Sequence, residues 1–169
     1  MLKDGEKIPN VNFRERHLGG WIDTNTDMYF KGKKVILFSL PGAFTPTCSS
    51  KQLPGYEENY QKFKELGIDE VYCISVNDAF VMNAWADAQG IEKVKMIPDG
   101  CGTFTRSLGM LVNKPQQGFG LRSWRYSAII DNEIITYLAE EPGINNFSND
   151  SDPYIESTPE KIISYLEKE

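Results

Sequence analysis

The sequence predicts an α/β domain with a mixed central sheet flanked by helices, and two observations predict it. Apolar runs of strand length, VILFSL (35–40), EVYCISV (70–76) and KVKMIP (93–98), alternate with longer stretches whose apolar residues recur every three or four positions. Two further short runs, RYSAII and EIITYL, flank Asp131-Asn132 as the arms of a hairpin would.

In chain order, RERHLGGW reads as a polar turn that precedes the first apolar strand. VILFSL is the kind of run expected of a strand covered on both faces. Thr45-Pro46 then signals a helix start, a capping hydroxyl followed by a residue whose φ is already helical. Leu53, Tyr56, Tyr60 and Phe63 form an apolar helical stripe that ends near Gly67. Pro54 lies inside it and should kink the helix, because proline has no N–H and crowds the carbonyl four residues back. After EVYCISV, Asn77 and Asp78 are good caps, and Phe80, Val81, Ala84, Trp85 and Ala88 mark a second helix ending at Gly90.

KVKMIP is the next strand, followed by a short helical piece around FTRSLGML. GFGLRS lacks the strand–helix setting of a dinucleotide loop and reads as a flexible turn. The last helix starts at STPE, either through a Ser157–Glu160 capping box or through Thr158 with Pro159 at the first helical position. Ile162, Ile163 and Leu166 are its apolar positions. The long polar connection EEPGINNFSNDSDPY is too short to be a domain boundary, so residues 1–169 are expected to form one domain. This order of elements is compatible with a thioredoxin-like layout.

Composition narrows the function classes. A net charge of −6 argues against binding phosphate backbones, so no nucleic-acid partner is expected. There is no run of about 18 apolar residues to span a membrane and no apolar secretory segment near the start. Three widely spaced cysteines, an odd number, do not form the framework of a secreted disulfide module, and a reducing, cytoplasmic setting fits best. Cys48, Cys73, Cys101 and His17 show no paired ligand spacing, so no metal site is expected, and the lone His17 reads as a surface histidine. The absence of C-x-x-C argues against a thioredoxin-type disulfide exchanger.

The chemistry concentrates in PGAFTPTCSS (41–50). If Thr45 caps the helix, Cys48 is its third residue, where the positive helix end and unpaired N–H groups favour an anion. A thiol so placed, with a cation beside it, falls from a pKa of ~8.5 into roughly the 3.5–7.5 range. Lys51 would point away with the helix, so the cation must come from elsewhere, and RSWR offers Arg122 and Arg125.

Pro41, Thr45 and Cys48 match in full the active-site signature of the peroxiredoxins, and FSLPGAFTPTCS, SVND, GML and RSWRYS also resemble that family in order. Within it, the chain is similar to the redoxin subfamily that holds atypical two-cysteine peroxiredoxins and bacterial forms fused to glutaredoxin. The resemblance runs from about residue 5 to the end of the chain. It implies a thioredoxin-like fold and a thiol peroxidase that reduces hydrogen peroxide and alkyl hydroperoxides without metal, haem or flavin. Carried over residue by residue, it implies that Cys48 attacks the peroxide and becomes a sulfenic acid. Thr45 would hydrogen-bond the peroxide, Arg125 would stabilise the thiolate and the polarised O–O bond, and the backbone N–H groups of Thr47 and Cys48 would complete the pocket. Pro41 would wall the thiolate from solvent. Arg122 is expected to be a supporting or surface arginine.

Cys73 sits in an apolar strand and reads as buried and inert, whereas Cys101, in the turn DGCGT, is more exposed and could trap the sulfenic acid as a disulfide. Atypical two-cysteine relatives carry their resolving cysteine after the hairpin strand, where AEEPGINNFSNDSDPY has none. The expected mechanism is therefore one-cysteine, regenerated by glutathione or glutaredoxin, with thioredoxin as a further candidate reductant. The resemblance also implies a homodimer with its interface near the active-site loops, to which Phe44, Phe80 and Trp85 are candidate contributors. A redox sensor or relay that hands oxidation to a partner protein is the alternative use of the same cysteine.

Overall fold

The computed structural model describes residues 4–147 and 152–169; residues 1–3 and 148–151, the latter in the polar connection, lie outside the described residues. The chain begins with the hairpin β1 (Asn12–His17) and β2 (Gly20–Asn25), then α1 (Thr26–Phe30) and β3 (Lys34–Ser39). A π-helical turn, Cys48–Gln52, leads into α2 (Leu53–Glu58) and α3 (Tyr60–Glu65). β4 (Glu70–Ser75), α4 (Ala79–Ala88), β5 (Lys95–Pro98) and α5 (Thr103–Ser107) follow. The pair β6 (Leu111–Lys114) and β7 (Gly120–Ser123) precedes the hairpin β8 (Tyr126–Asp131) and β9 (Ile134–Glu140), and α6 (Pro159–Glu167) closes the chain.

Among the described residues the central sheet has the order β5-β4-β3-β8-β9, with β3, β4 and β5 parallel and β8 and β9 antiparallel. The expected mixed sheet is thus present. β3 is apolar almost throughout because alternate residues face different layers. Ile36 and Phe38 join a cluster with Tyr56, Phe63, Met82, Trp85 and Ile162 from the helices. Val35 and Leu37 join the opposite cluster, with Phe30, Phe104 and Trp124. No helix among the described residues is long and apolar enough to cross a membrane.

Four local expectations need correction. RERHLGGW is a β-hairpin, turned by Leu18 and Gly19, both at positive φ (50° and 77°). GFGLRS contributes β7, pairing Leu121 with Asn113 and Arg122 with Val112. The β8–β9 turn falls on Asn132 and Glu133, at φ 47° and 71°, one residue later than Asp131-Asn132. In α4 the buried positions are Ala79, Met82 and Trp85, while Phe80 is 55% exposed. The C-terminal helix is capped by Thr158, which accepts from the Lys161 N–H at 3.3 Å; Ser157 is used elsewhere.

Candidate active site

Sheet register assembles the site. Ser39, the last residue of β3, pairs with Tyr126, and Tyr126 pairs with Glu140 of β9. The next residues outward, Leu40, Arg125 and Glu141, therefore sit at one end of the sheet, and the Glu141 N–H donates to the Arg125 carbonyl at 3.1 Å. The loop that leaves β3 there is fixed from both sides. The Ala43 N–H donates to Asn77 Oδ1 at 3.0 Å, and Arg122 reaches the Pro41 carbonyl at 3.4 Å. Arg122 also donates to the Phe119 carbonyl at 3.1 Å, so it is a supporting arginine of the loop, as expected. A Cβ on Gly42 would stand 2.5 Å from Arg122 Nη1, so a side chain there would displace the arginine.

The helix starts at Pro46, and its first i→i−4 bond runs from the Ser49 N–H to the Thr45 carbonyl at 3.0 Å. Cys48 is thus the third helical residue, and the N–H groups of Thr47 and Cys48 precede that first bond. The Thr45 hydroxyl does not cap the helix; it donates to the Gly42 carbonyl at 2.7 Å and tightens the turn. The turn also holds Phe44 at φ 64°, a left-handed backbone that costs an L-residue about 1–2 kcal/mol. A π turn, in which the Leu53 N–H bonds the Cys48 carbonyl, precedes Pro54, which lies in the first turn of α2.

That wider turn aims Gln52 inward. Its amide donates to the Ser39 carbonyl at 3.1 Å, and its Oε1 accepts from Arg125 Nη1. The same Nη1 lies 3.4 Å from Cys48 Sγ, and both residues are buried. Arg125 Nη2 donates to Asp152 Oδ1 at 2.5 Å, and the guanidinium lies 5.7 Å from the centre of the Tyr154 ring. Burial alone would lower the Arg125 pKa, but Cys48 and Asp152 outweigh it and the group stays charged. A cavity of about 180 Å³ opens beside these groups, bounded by Pro41, Thr45, Phe119, Trp124, Arg125 and Asp152. It reaches the neighbours of Cys48 and stops short of the sulfur, which is fully covered.

The segment that carries Asp152 and Tyr154 is held by one carboxylate. Buried Glu141 accepts from the N–H groups of Ile155 (2.9 Å), Glu156 (2.9 Å) and Ser157 (2.7 Å) and from the Ser157 hydroxyl (2.6 Å). Burial raises its pKa, but these donors outweigh burial and hold the carboxyl below its ordinary value of 4.5. A depressed pKa stabilises the fold above the unfolded value, and that contribution is lost as pH falls through the folded value. Glu141→Gln is expected to cost about 2–4 kcal/mol near neutrality, because glutamine presents an NH₂ to backbone donors. The gap to the parent protein should narrow as pH drops below 4.5 in thermal unfolding measured at a series of pH values.

The structure thus brings together Pro41, Thr45, Cys48 and Arg125 of the expected set. Cys73 lies in β4 within the same apolar cluster as Cys48, and burial pushes its thiol well above the usual range. Cys101 is exposed in the loop after β5, two strands from β3, a lateral offset of about 10 Å. Gln52, Glu141, Asp152 and Tyr154 were not foreseen. Only Gln52 carried a signal, four residues after Cys48 and so on the same side of the helix.

Comparison with known proteins bears on the family and the fold. Residues 3–153 match the Redoxin family. The chain is 53% identical over 170 residues to a peroxiredoxin of Rhizobium etli, covering 95% of this chain and 94% of that protein. The fold is similar to the crystal structure of the Plasmodium falciparum antioxidant protein, a 1-Cys peroxiredoxin, with TM-score 0.93 and 39% identity over 99% of this chain and 100% of that one. It is also similar to reduced Prx3 of Vibrio vulnificus in complex with H₂O₂, with TM-score 0.88 and 40% identity over 99% and 97%.

Proposed function

The chain belongs to the Redoxin family and, within it, to the peroxiredoxins, which are thiol peroxidases, and from that premise we propose that it reduces hydrogen peroxide and alkyl hydroperoxides through a sulfenic acid at Cys48. The observation that carries this reading is the buried Cys48 sulfur 3.4 Å from Arg125 Nη1, at a helix start and beside a cavity. The thiolate attacks the near oxygen of the peroxide, an S–O bond forms as the O–O bond breaks, and the leaving alkoxide or hydroxide takes a proton from water to become an alcohol or water. Arg125 and the N–H groups of Thr47 and Cys48 meet the charge that develops on the oxygens. Arg125 lines the cavity, which brings its guanidinium beside the space a peroxide would enter. In this reading Thr45 orients the peroxide and Pro41 shields the sulfur.

Regeneration is read as one-cysteine. The burial of Cys73 within a strand and the position of Cys101 two strands away favour an external thiol over an internal disulfide. Glutathione attacks the sulfenic sulfur and releases water, and a second thiol, with glutaredoxin as the expected catalyst and thioredoxin as a further candidate, frees Cys48 from the mixed disulfide. The chain is taken to be a single domain that acts in the cytoplasm as a homodimer. Phe44 and Phe80, 57% and 55% exposed, are the apolar surface a second copy would cover, whereas Trp85 is core and donates to Ser49 Oγ at 3.0 Å.

Intact-mass spectrometry of the reduced protein after one equivalent of hydrogen peroxide, then glutathione, tests both parts. The expected product is an added oxygen on Cys48, exchanged for one glutathione. A loss of two hydrogens within one chain would replace the external-thiol route by an internal disulfide, and no reaction of Cys48 would sink the peroxidase reading.

A further inference from the structure

Arg125 divides its donors between two anionic partners, the Cys48 sulfur on Nη1 and the Asp152 carboxylate on Nη2. We propose that Asp152 is a positioning residue that sets the acidity and nucleophilicity of Cys48 by sharing Arg125 with it. The proposal rests on the reading of Cys48 as the peroxide-reducing thiolate.

Three features distinguish this contact from an ordinary surface ion pair. The Arg125 side chain is 3% exposed and the Asp152 side chain 45%, so the pair lies at the edge of the cavity with its cation buried. Asp152 holds a left-handed backbone (φ 51°), which aspartate and asparagine enter more readily than other side chains. The residues that follow are tied to Glu141, whose own N–H bonds the Arg125 carbonyl. The carboxylate is therefore delivered to the guanidinium by the same unit that anchors the arginine backbone.

Other titratable groups lie near: Cys73 from β4, Tyr56 from α2, Tyr154, Glu141, Glu160 from α6, and Lys114 on the cavity wall. The Asp152 carboxylate is the one among them that the structure records bonded to the guanidinium beside the sulfur. Its negative charge opposes that of the thiolate and engages part of the Arg125 field, so removing it should strengthen the hold of Arg125 on the sulfur. The functional gain is nucleophilicity, because a thiolate becomes intrinsically less reactive as its pKa falls, with a Brønsted slope of about 0.4–0.5.

Asp152→Asn tests this. Asparagine keeps the hydrogen-bond acceptor and the left-handed backbone and removes the charge. In a Cys101→Ser background, the pH profile of Cys48 alkylation by iodoacetamide should shift its midpoint down by about one unit. The plateau rate above the midpoint should fall about threefold. Asp152→Ser, also neutral, should shift the midpoint the same way. A midpoint unmoved in both variants, or moved upward, overturns the proposal. A parent protein that reacts with no peroxide would defeat the peroxidase reading itself, whereas an active parent with an unmoved midpoint defeats only the role of Asp152.

Discussion

Cys48→Ser is expected to leave a folded protein that reduces no peroxide. Serine differs from cysteine by one atom and little volume, so the buried site should accept its hydroxyl at a cost of about 1–3 kcal/mol. The chemistry does not survive the exchange. An alcohol is not ionised near neutral pH, even beside a guanidinium, and its oxygen cannot pass through the sulfenic state on which turnover depends. Peroxide consumption with dithiothreitol as reductant, set beside a thermal melt, measures both halves of the expectation. Cys73 and Cys101 remain in the variant, so turnover that persisted would move the reactive thiol to one of them. The burial of the first and the surface turn that holds the second argue against that outcome.

The second large effect belongs to Arg125. Arg125→Ala should lower kcat/KM for hydrogen peroxide by about 10²–10³-fold, the loss seen when one preorganised donor to a developing oxyanion is removed. It should also raise the pH at which Cys48 becomes reactive, since the sulfur loses the cation 3.4 Å away while the Asp152 carboxylate stays near. Arg125→Lys should not restore the parent behaviour. One ammonium cannot meet Cys48 Sγ, Gln52 Oε1 and the Asp152 carboxylate together, as the planar fork does. Stopped-flow peroxide reduction and the pH profile of alkylation check the two parts. The opposite displacements expected for Arg125→Ala and Asp152→Asn separate electrostatic tuning from general damage, which would move both profiles the same way.

The features legible in the sequence were those written in adjacent residues. Pro41, Thr45 and Cys48 lie within one loop and helix turn, so their juxtaposition follows from local backbone chemistry. Arg125 was legible as a residue type that the thiolate needs, but its arrival beside Cys48 depends on the pairing of Ser39 with Tyr126, a register no local pattern states. Glu141 and Asp152 were opaque for a related reason. They lie in a polar stretch that composition gives the look of a plain connection, whereas the Glu141 carboxylate meets the three successive backbone N–H groups of residues 155–157. β7 was missed because Gly118 and Gly120 flag a turn, and the strand that begins at the second of them is held by its partner β6. The helix stripe misassigned Phe80 because a helix beside an edge hairpin need not turn every apolar residue inward: Phe80 lies edge-on to Trp21, 5.4 Å between ring centres.

The covering of the sulfur has a consequence for time as well as for chemistry. The cavity ends at Thr45 and Arg125, so a peroxide of a few atoms and a tripeptide thiol do not meet the same protein. The cavity already admits a small oxidant to the residues around the sulfur. On the external-thiol route proposed above, the larger reductant needs the π turn or the segment from Asp152 to Ser157 to give way before its sulfur can touch the oxidised one. On that route the oxidised protein keeps its own clock, and opening of the local structure, governed by packing and hydrogen bonds, limits how soon it is reduced.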